Sequence, residues 1–507
     1  MLSGSNSVLI TCVVVYLLAS IAIGLYAARR VKSSTDYMVA GRSLPIYIVT
    51  ATVFATWFGS ETVLGTTAVF IEEGFWGIVA DPFGASLCLI LVGVFFAVPL
   101  YKMNLRTIGD YYRQRYGVGV EKTISIIIMM SYLGWVAAQM AALGVVFNVI
   151  THGAISQEWG TVIGAVIVIA YTVYGGMWSV ALTDFFQMML IMIGLVFIAW
   201  LITAKVDGGA AAVLSHASAQ DKFNLLPEPN WPAFLAFIGM LMTMGLGSIP
   251  QQDVFQRVMS AKSANIARNA AIIGGVLYLL FAMIPLYIGY TAFLIDPDLV
   301  NRQLAADGDA QLVLPTLILN HVPLFAQVLF FGALLSAIMS TASGTLLAPS
   351  VLLSENIIKK FLPHRTDQQF LWSIRAVVLL FGVCVTAYSL SSDLSIFEMV
   401  ENAYQIPLVG AFVPLAFGLY WKKANRNGAW LAILGGLGVW LPLFILEAEY
   451  AMFGGGTGWA WLGLPEMAGL YLPQLLGFSA SVLGMVIGSL CLPKPRPQPM
   501  AVVEPLT

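Results

Sequence analysis

Long apolar runs separated by short polar stretches fill the chain. A helix that crosses a bilayer needs about 20 mostly apolar residues. Thirteen stretches meet that need, at roughly 6–28, 45–70, 76–101, 122–150, 157–175, 178–203, 232–256, 268–293, 312–347, 370–390, 395–421, 428–447 and 467–491. The pattern predicts an all-α polytopic membrane protein. The stretch 312–347 is longer than one crossing, so part of it is expected to tilt or to continue outside the bilayer.

Two stretches interrupt their own pattern. The one from about Tyr47 to Phe70 is broken by Thr56-Trp57-Phe58-Gly59-Ser60-Glu61. The one from about Trp231 to Arg257 is broken by Gly245-Leu246-Gly247-Ser248-Ile249-Pro250-Gln251. Each opens a block of five predicted spans. Unwound backbone at membrane depth is tolerated only where protein buries it or where it lines a cavity. Interrupted helices in corresponding halves point to the binding site of a secondary transporter. Five is odd, so the second block is expected to run inverted with respect to the first. The organisation that follows is a first span and linker (1–44), a first repeat (45–203), an extracytoplasmic loop (204–230), a second repeat (231–421), two peripheral spans (422–492) and a disordered cytoplasmic tail (493–507).

Charge orients this arrangement. Of the 24 Lys and Arg residues, 21 fall in one set of loops, and only Lys205, Lys222 and Arg302 fall in the other. Cytoplasmic loops are enriched in Lys and Arg. The N-terminus is therefore expected outside and the C-terminus in the cytoplasm, in a plasma membrane of the bacterial inner-membrane kind. Composition agrees: 59% of residues are hydrophobic and 10% are charged, against about 25% charged in soluble proteins. The first span has no basic n-region and is followed by Arg29-Arg30, which fits a retained span rather than a cleaved signal. Cys12, Cys88, Cys384 and Cys491 offer neither a disulfide framework nor metal spacing. No nucleotide-binding, zinc-protease or nucleophile-elbow motif is present, so an enzyme is not expected.

Ionisable residues inside a membrane are costly and mark function by default. Glu61, Asp81, Asp184 and Glu401 lie within predicted spans, and no Lys or Arg is expected deep enough to pair with them. Hydroxyls cluster at Ser336, Ser340, Thr341, Ser343 and Thr345. Such oxygens, with carbonyls freed near Ala55 and Phe58, suit a hard cation. Trp57 inside the first break, Trp135 in mid-span and Tyr404 near Glu401 offer aromatic faces to a cationic or apolar group.

Landmarks from about Asp36 to Ala429 carry a resemblance. They include Ala40-Gly-Arg-Ser-Leu44, Tyr174-Gly-Gly-Met-Trp-Ser-Val-Ala-Leu-Thr-Asp184, Phe255-Gln-Arg-Val-Met-Ser-Ala-Lys262, Met339-Ser-Thr341 and Gly418-Leu-Tyr-Trp-Lys-Lys423. Together they resemble the sodium/solute symporter family, which has a LeuT-like inverted-repeat core. The resemblance implies sodium as the coupling ion, held by Ala55, Phe58, Ala337, Ser340 and Thr341. It places Asp184 and Ser343 at a second sodium site or an inner exit path, with Gly344 replacing a further hydroxyl of that site. Ala55-Thr-Trp57-Phe-Gly, the stretch from Asp81, and Ile249-Pro-Gln-Gln-Asp-Val-Phe-Gln-Arg-Val258 locally resemble choline transporters. Trp57 and Trp135 match two tryptophans of their cation box, and Gln251 replaces a third. Gln251 and Thr62 match sugar-contact positions of other members, and Asp81 lies beside one.

The reading is a sodium-coupled symporter working by alternating access, with its solute among Trp57, Thr62, Asp81, Trp135, Gln251 and Tyr404. A cationic or zwitterionic amine is the expected solute. An organic acid, a sugar, a passive channel or a non-transporting sensor are the alternatives. Its partners are the solute, sodium and membrane lipid, with no nucleic acid.

Overall fold

A computed structural model describes residues 4–361, 366–452 and 466–492. The predicted tail at 493–507 lies outside these described residues. Among them the chain is helical, with one isolated parallel bridge between Leu44 and Ala261 and no strand.

In chain order the principal helices are α1 (Gly4–Ala28), α2 (Ile46–Trp57), α3 (Thr66–Glu73), α4 (Val79–Lys102), α5 (Ile108–Tyr116), α6 (Val118–Ile150), α7 (Gln157–Thr203) and α8 (Gly209–Ala219). They continue with α9 (Trp231–Gly247), α10 (Gln252–Met259), α11 (Ala264–Ile295), α12 (Leu324–Phe361), α13 (Asp367–Ser391), α14 (Ile396–Tyr420), α15 (Arg426–Met452) and α16 (Glu466–Leu490). Among the described residues ten helices are long and apolar enough to cross a membrane, or eleven if the bent pair α9–α10 is one span. The thirteen expected spans are reached only by also counting the interrupted α2–α3 segment and dividing α7. That division has a physical basis. At about 1.5 Å per residue, the 47 residues of α7 would run about 70 Å, more than twice a hydrocarbon core of about 30 Å. Gly176 breaks it with φ 52 and ψ −159, backbone that only glycine adopts freely. A Cβ there would also stand 2.5 Å from the Tyr37 ring.

The predicted stretch 312–347 resolves differently. A short helix spans Val313–His321, Val322 is extended before Pro323, and α12 starts at Leu324 and runs on to Phe361. Proline disfavours helical backbone in the residue before it, so the helix starts later than expected, but at 38 residues it is still longer than one crossing.

Burial sorts the helices into centre and rim. The most apolar windows of α6 and α12 are 78% and 72% buried, whereas that of α1 is 28% buried. α12 packs against α2, α6 and α7, and α14 packs along α6. The rim helices present large apolar side chains outward, Leu18, Ile193, Trp200 and Leu380 among them. An apolar exterior of this kind faces lipid. The helices α2, α6, α10, α12 and α14 thus enclose the two breaks.

Candidate functional site

The first break frees a carbonyl. Phe58 leaves helical backbone (φ −83, ψ 74), and Gly59 N–H turns to Trp57 O at 3.0 Å. In a continuous helix that N–H would serve Ala55 O, four residues back. The chain resumes through a wide turn at Glu61–Gly65 before α3. The hydroxyls of α12 close on the released carbonyl: Thr341 Oγ1 donates to Ala55 O at 3.3 Å, and Ser340 Oγ stands 3.0 Å from it. At the second break the chain bends by 47° between α9 and α10.

Asp184 on α7 completes this group. Its Oδ1 lies 2.5 Å from Ser340 Oγ, and the Thr52 hydroxyl donates to its Oδ2. A serine that gives its proton to a carboxylate keeps a lone pair for a cation. Ser343 Oγ turns back to Ser340 O at 3.0 Å. Phe58 and Ala337 border one small apolar void beside this group, with Val63 and Leu334. The structure therefore joins Ala55, Ser340, Thr341 and Asp184 directly, with Phe58 and Ala337 flanking them and Ser343 turned onto its own helix.

On the other side of the break the aromatic residues gather. Trp57 stacks on Tyr404 at 6.0 Å between centroids, and Trp135 meets Trp57 at 5.8 Å and Tyr404 at 5.3 Å. Tyr278 of α11 forms the next layer. It shares a hydrogen bond with Thr62 at 2.8 Å and donates to Asp81, which also accepts from Thr66 at 2.9 Å. Asp81 thus reaches Trp57 only through Tyr278, 6.5 Å from the Trp57 ring. Gln251 donates to Ser131 at 2.8 Å. Among the described residues, Gln251 Oε1, Tyr404 Oη and Glu401 Oε1 are buried without a hydrogen-bond partner. Those atoms are available to a solute, because a buried polar group left unpaired is costly. Trp57, Asp81, Trp135, Gln251 and Tyr404 are each at most 2% exposed, so the cluster is closed to solvent.

One expectation is overturned. Arg257, assigned from the sequence to an inner loop, is 1% exposed and belongs to α10. The bend at the second break swings α10 into the core. Arg257 Nε donates to Thr56 at 2.8 Å and Nη1 to Asp253 O at 3.2 Å. Its Nη2 has no partner among the described residues, and a Cβ on Gly344 would stand 2.1 Å from it. Asp253 was also missed. It accepts from Tyr132 at 2.5 Å and from Trp57 Nε1 at 3.2 Å. Gln139 was missed as well, although it holds Glu61 Oε2 at 2.7 Å while Trp135 Nε1 holds Glu61 Oε1 at 3.1 Å. The polar run Gln251-Gln-Asp253 beside a break was the one signal that pointed toward Asp253.

Comparison with known proteins adds to this geometry. Residues 37–436 match the family described as the sodium:solute symporter family. The chain is 30% identical over 448 residues to the high affinity choline transporter 1 of Homo sapiens, covering 85% of this chain and 75% of that protein. It is 26% identical over 442 residues to the sodium/sialic acid symporter of Aliivibrio fischeri, covering 83% and 85%. A solved substrate-bound, outward-open Na+-coupled sialic acid symporter superposes with a TM-score of 0.78 at 22% identity, over 98% of this chain and 99% of that one.

Proposed function

The chain belongs to the sodium:solute symporter family, and from that premise we propose that it imports a small cationic or zwitterionic amine together with sodium. It is an integral membrane protein of LeuT-like fold, and its family consists of sodium-coupled transporters rather than enzymes. We read the membrane as a bacterial inner membrane, with the N-terminus outside.

The observation that carries the sodium reading is the convergence of Ser340 and Thr341 on the carbonyl freed at Ala55, with Asp184 behind them. A cation there draws together the broken helix and α12. That closure fixes Trp57, two residues beyond Ala55, against Trp135 and Tyr404. Ion binding thereby orders the solute site, and alternating access follows from opening the two sides of the break in turn.

The amine reading rests on aromatic faces beside buried carboxylates. A desolvated cation on such a face gains about 2 kcal/mol. Similarity to a choline transporter is consistent with it. A second reading, an acidic sugar or organic acid, draws on similarity to a sialic acid symporter and on the buried Arg257. Thermal-shift screening of purified protein against amines, organic acids and sugars, with and without sodium, separates them. Stabilisation by amines that requires sodium is the expected result. Stabilisation only by acids or uncharged sugars overturns the amine reading.

A further inference from the structure

Oxygen atoms facing Gly59 outline a place for a second ion. A Cβ on Gly59 would stand 2.6 Å from Glu61 Oε2, 2.6 Å from Thr341 Oγ1 and 3.0 Å from Gln139 Oε1. A carboxylate, a hydroxyl and an amide carbonyl thus converge on one point from the turn after the first break, from α12 and from α6. The point is a bond length from the Gly59 Cα, so an ion would ride just outside it, where the missing side chain leaves room. The neighbouring Ser60 hydroxyl is fully buried and has no hydrogen-bond partner among the described residues.

Glu61 has no counter-charge of its own among the described residues. Its carboxylate is 2% exposed, and its hydrogen-bond donors, Gln139 and Trp135, are neutral. Among the described residues no Lys, Arg or His nitrogen lies within 4.0 Å of it. A buried carboxylate without a counter-charge is strongly disfavoured. Carboxylate, hydroxyl and amide oxygens form the donor set that hard cations take.

We infer that Glu61, Thr341 and Gln139 hold a second sodium ion, between the Ala55–Ser340–Thr341 group and the aromatic cluster. This rests on the sodium-coupled reading above and adds a site to it. Thr341 faces both ions, so occupancy of one site bears on the other. Glu61 Oε1 holds the Trp135 indole, so the second ion also fixes a wall of the candidate solute site. The place is distinct from Asp184 and Ser343, where the sequence resemblance put a second sodium.

Equilibrium binding of radioactive sodium to the purified full chain tests this without knowledge of the solute. Wild type is expected to saturate at two ions per chain, and Glu61→Gln and Ser340→Ala at one each. Thr341→Ala is expected to weaken both ions. Gly59→Ala places a methyl in the cradle and is expected to lose the same ion as Glu61→Gln, which gives a second variant should one fold poorly. The lost ion should weaken at least about tenfold. Two ions in both wild type and Glu61→Gln overturn the proposal. A single wild-type ion removed by Ser340→Ala also overturns it, but leaves the sodium-coupled reading standing. No sodium binding in wild type overturns both.

Discussion

Asp184 and Arg257 show how single side chains organise this core. Asp184 draws the protons of Ser340 and Thr52, which leaves the lone pairs of the serine oxygen free on the side away from Asp184. Replacing Ser340 and Thr341 together by Ala removes two oxygen ligands and leaves the helix packing in place. Each lost contact is worth about 0.5–1.5 kcal/mol, so the half-saturating sodium concentration should rise roughly 10- to 100-fold while membrane expression persists. Solute uptake measured across a sodium series checks this; unchanged sodium dependence contradicts it. Arg257 uses a forked head, with Nε on Thr56 and Nη1 on the Asp253 carbonyl. A lysine has one compact ammonium and cannot span both partners. Arg257→Lys should cost about 1–3 kcal/mol through the groups left unpaired, read as a lower melting temperature of the purified protein. A melting curve identical to wild type would remove this role.

The elements differ in how openly the sequence announces them. The two breaks were legible because glycine, serine and proline interrupt otherwise apolar runs, and the observed non-helical residues fall inside the predicted interruptions. The start of α12 was not, because Val322-Pro323 is brief punctuation inside a long apolar stretch. Arg257 was misplaced for another reason. It falls one residue past the predicted end of the span 232–256, so it counts with the loop charges, and the partners that hold α10, Thr56 and Tyr132, lie far away in the chain. Local pattern carries no information about such pairings, and the same holds for Gln139 and Glu61. The 204–230 loop holds one further element-scale device. Lys222 Nζ binds the carbonyls of Ile71 and Glu72 at the end of α3 at 2.8 and 2.7 Å, and Phe75 N–H returns to Lys222 O at 2.8 Å. Partial burial lowers the Lys222 pKa, opposed by Glu72 and Glu73. Gly74 sits at φ 73 in this strap, and a Cβ there would stand 2.6 Å from Lys222 O. Lys222→Met should leave the spans intact and speed hydrogen exchange around residues 71–75 about tenfold, as expected for the loss of about 1.4 kcal/mol. Exchange equal to wild type in that segment would show that the strap carries no load.

At the scale of the whole molecule, the basic residues and the helices make one topological statement. Single cysteines in the 204–230 loop, introduced into a chain lacking Cys12, Cys88, Cys384 and Cys491, should react with an impermeant reagent from outside. Cysteines at 422–427 should react only from inside. The reverse pattern contradicts an outside N-terminus. With that orientation, each positive charge carried inward across 100 mV contributes about 2.3 kcal/mol, enough for roughly 50-fold accumulation of solute. The two interrupted segments are also joined directly, by the short bridge between Leu44 and Ala261. Leu44 N–H reaches Ser260 O and Lys262 N–H reaches Leu44 O, both at 3.0 Å. The entry to α2 and the exit from α10 are thereby yoked, like two oars on one shaft. Displacing one interrupted helix therefore pulls on the other through the backbone itself, outside the aromatic cluster between them.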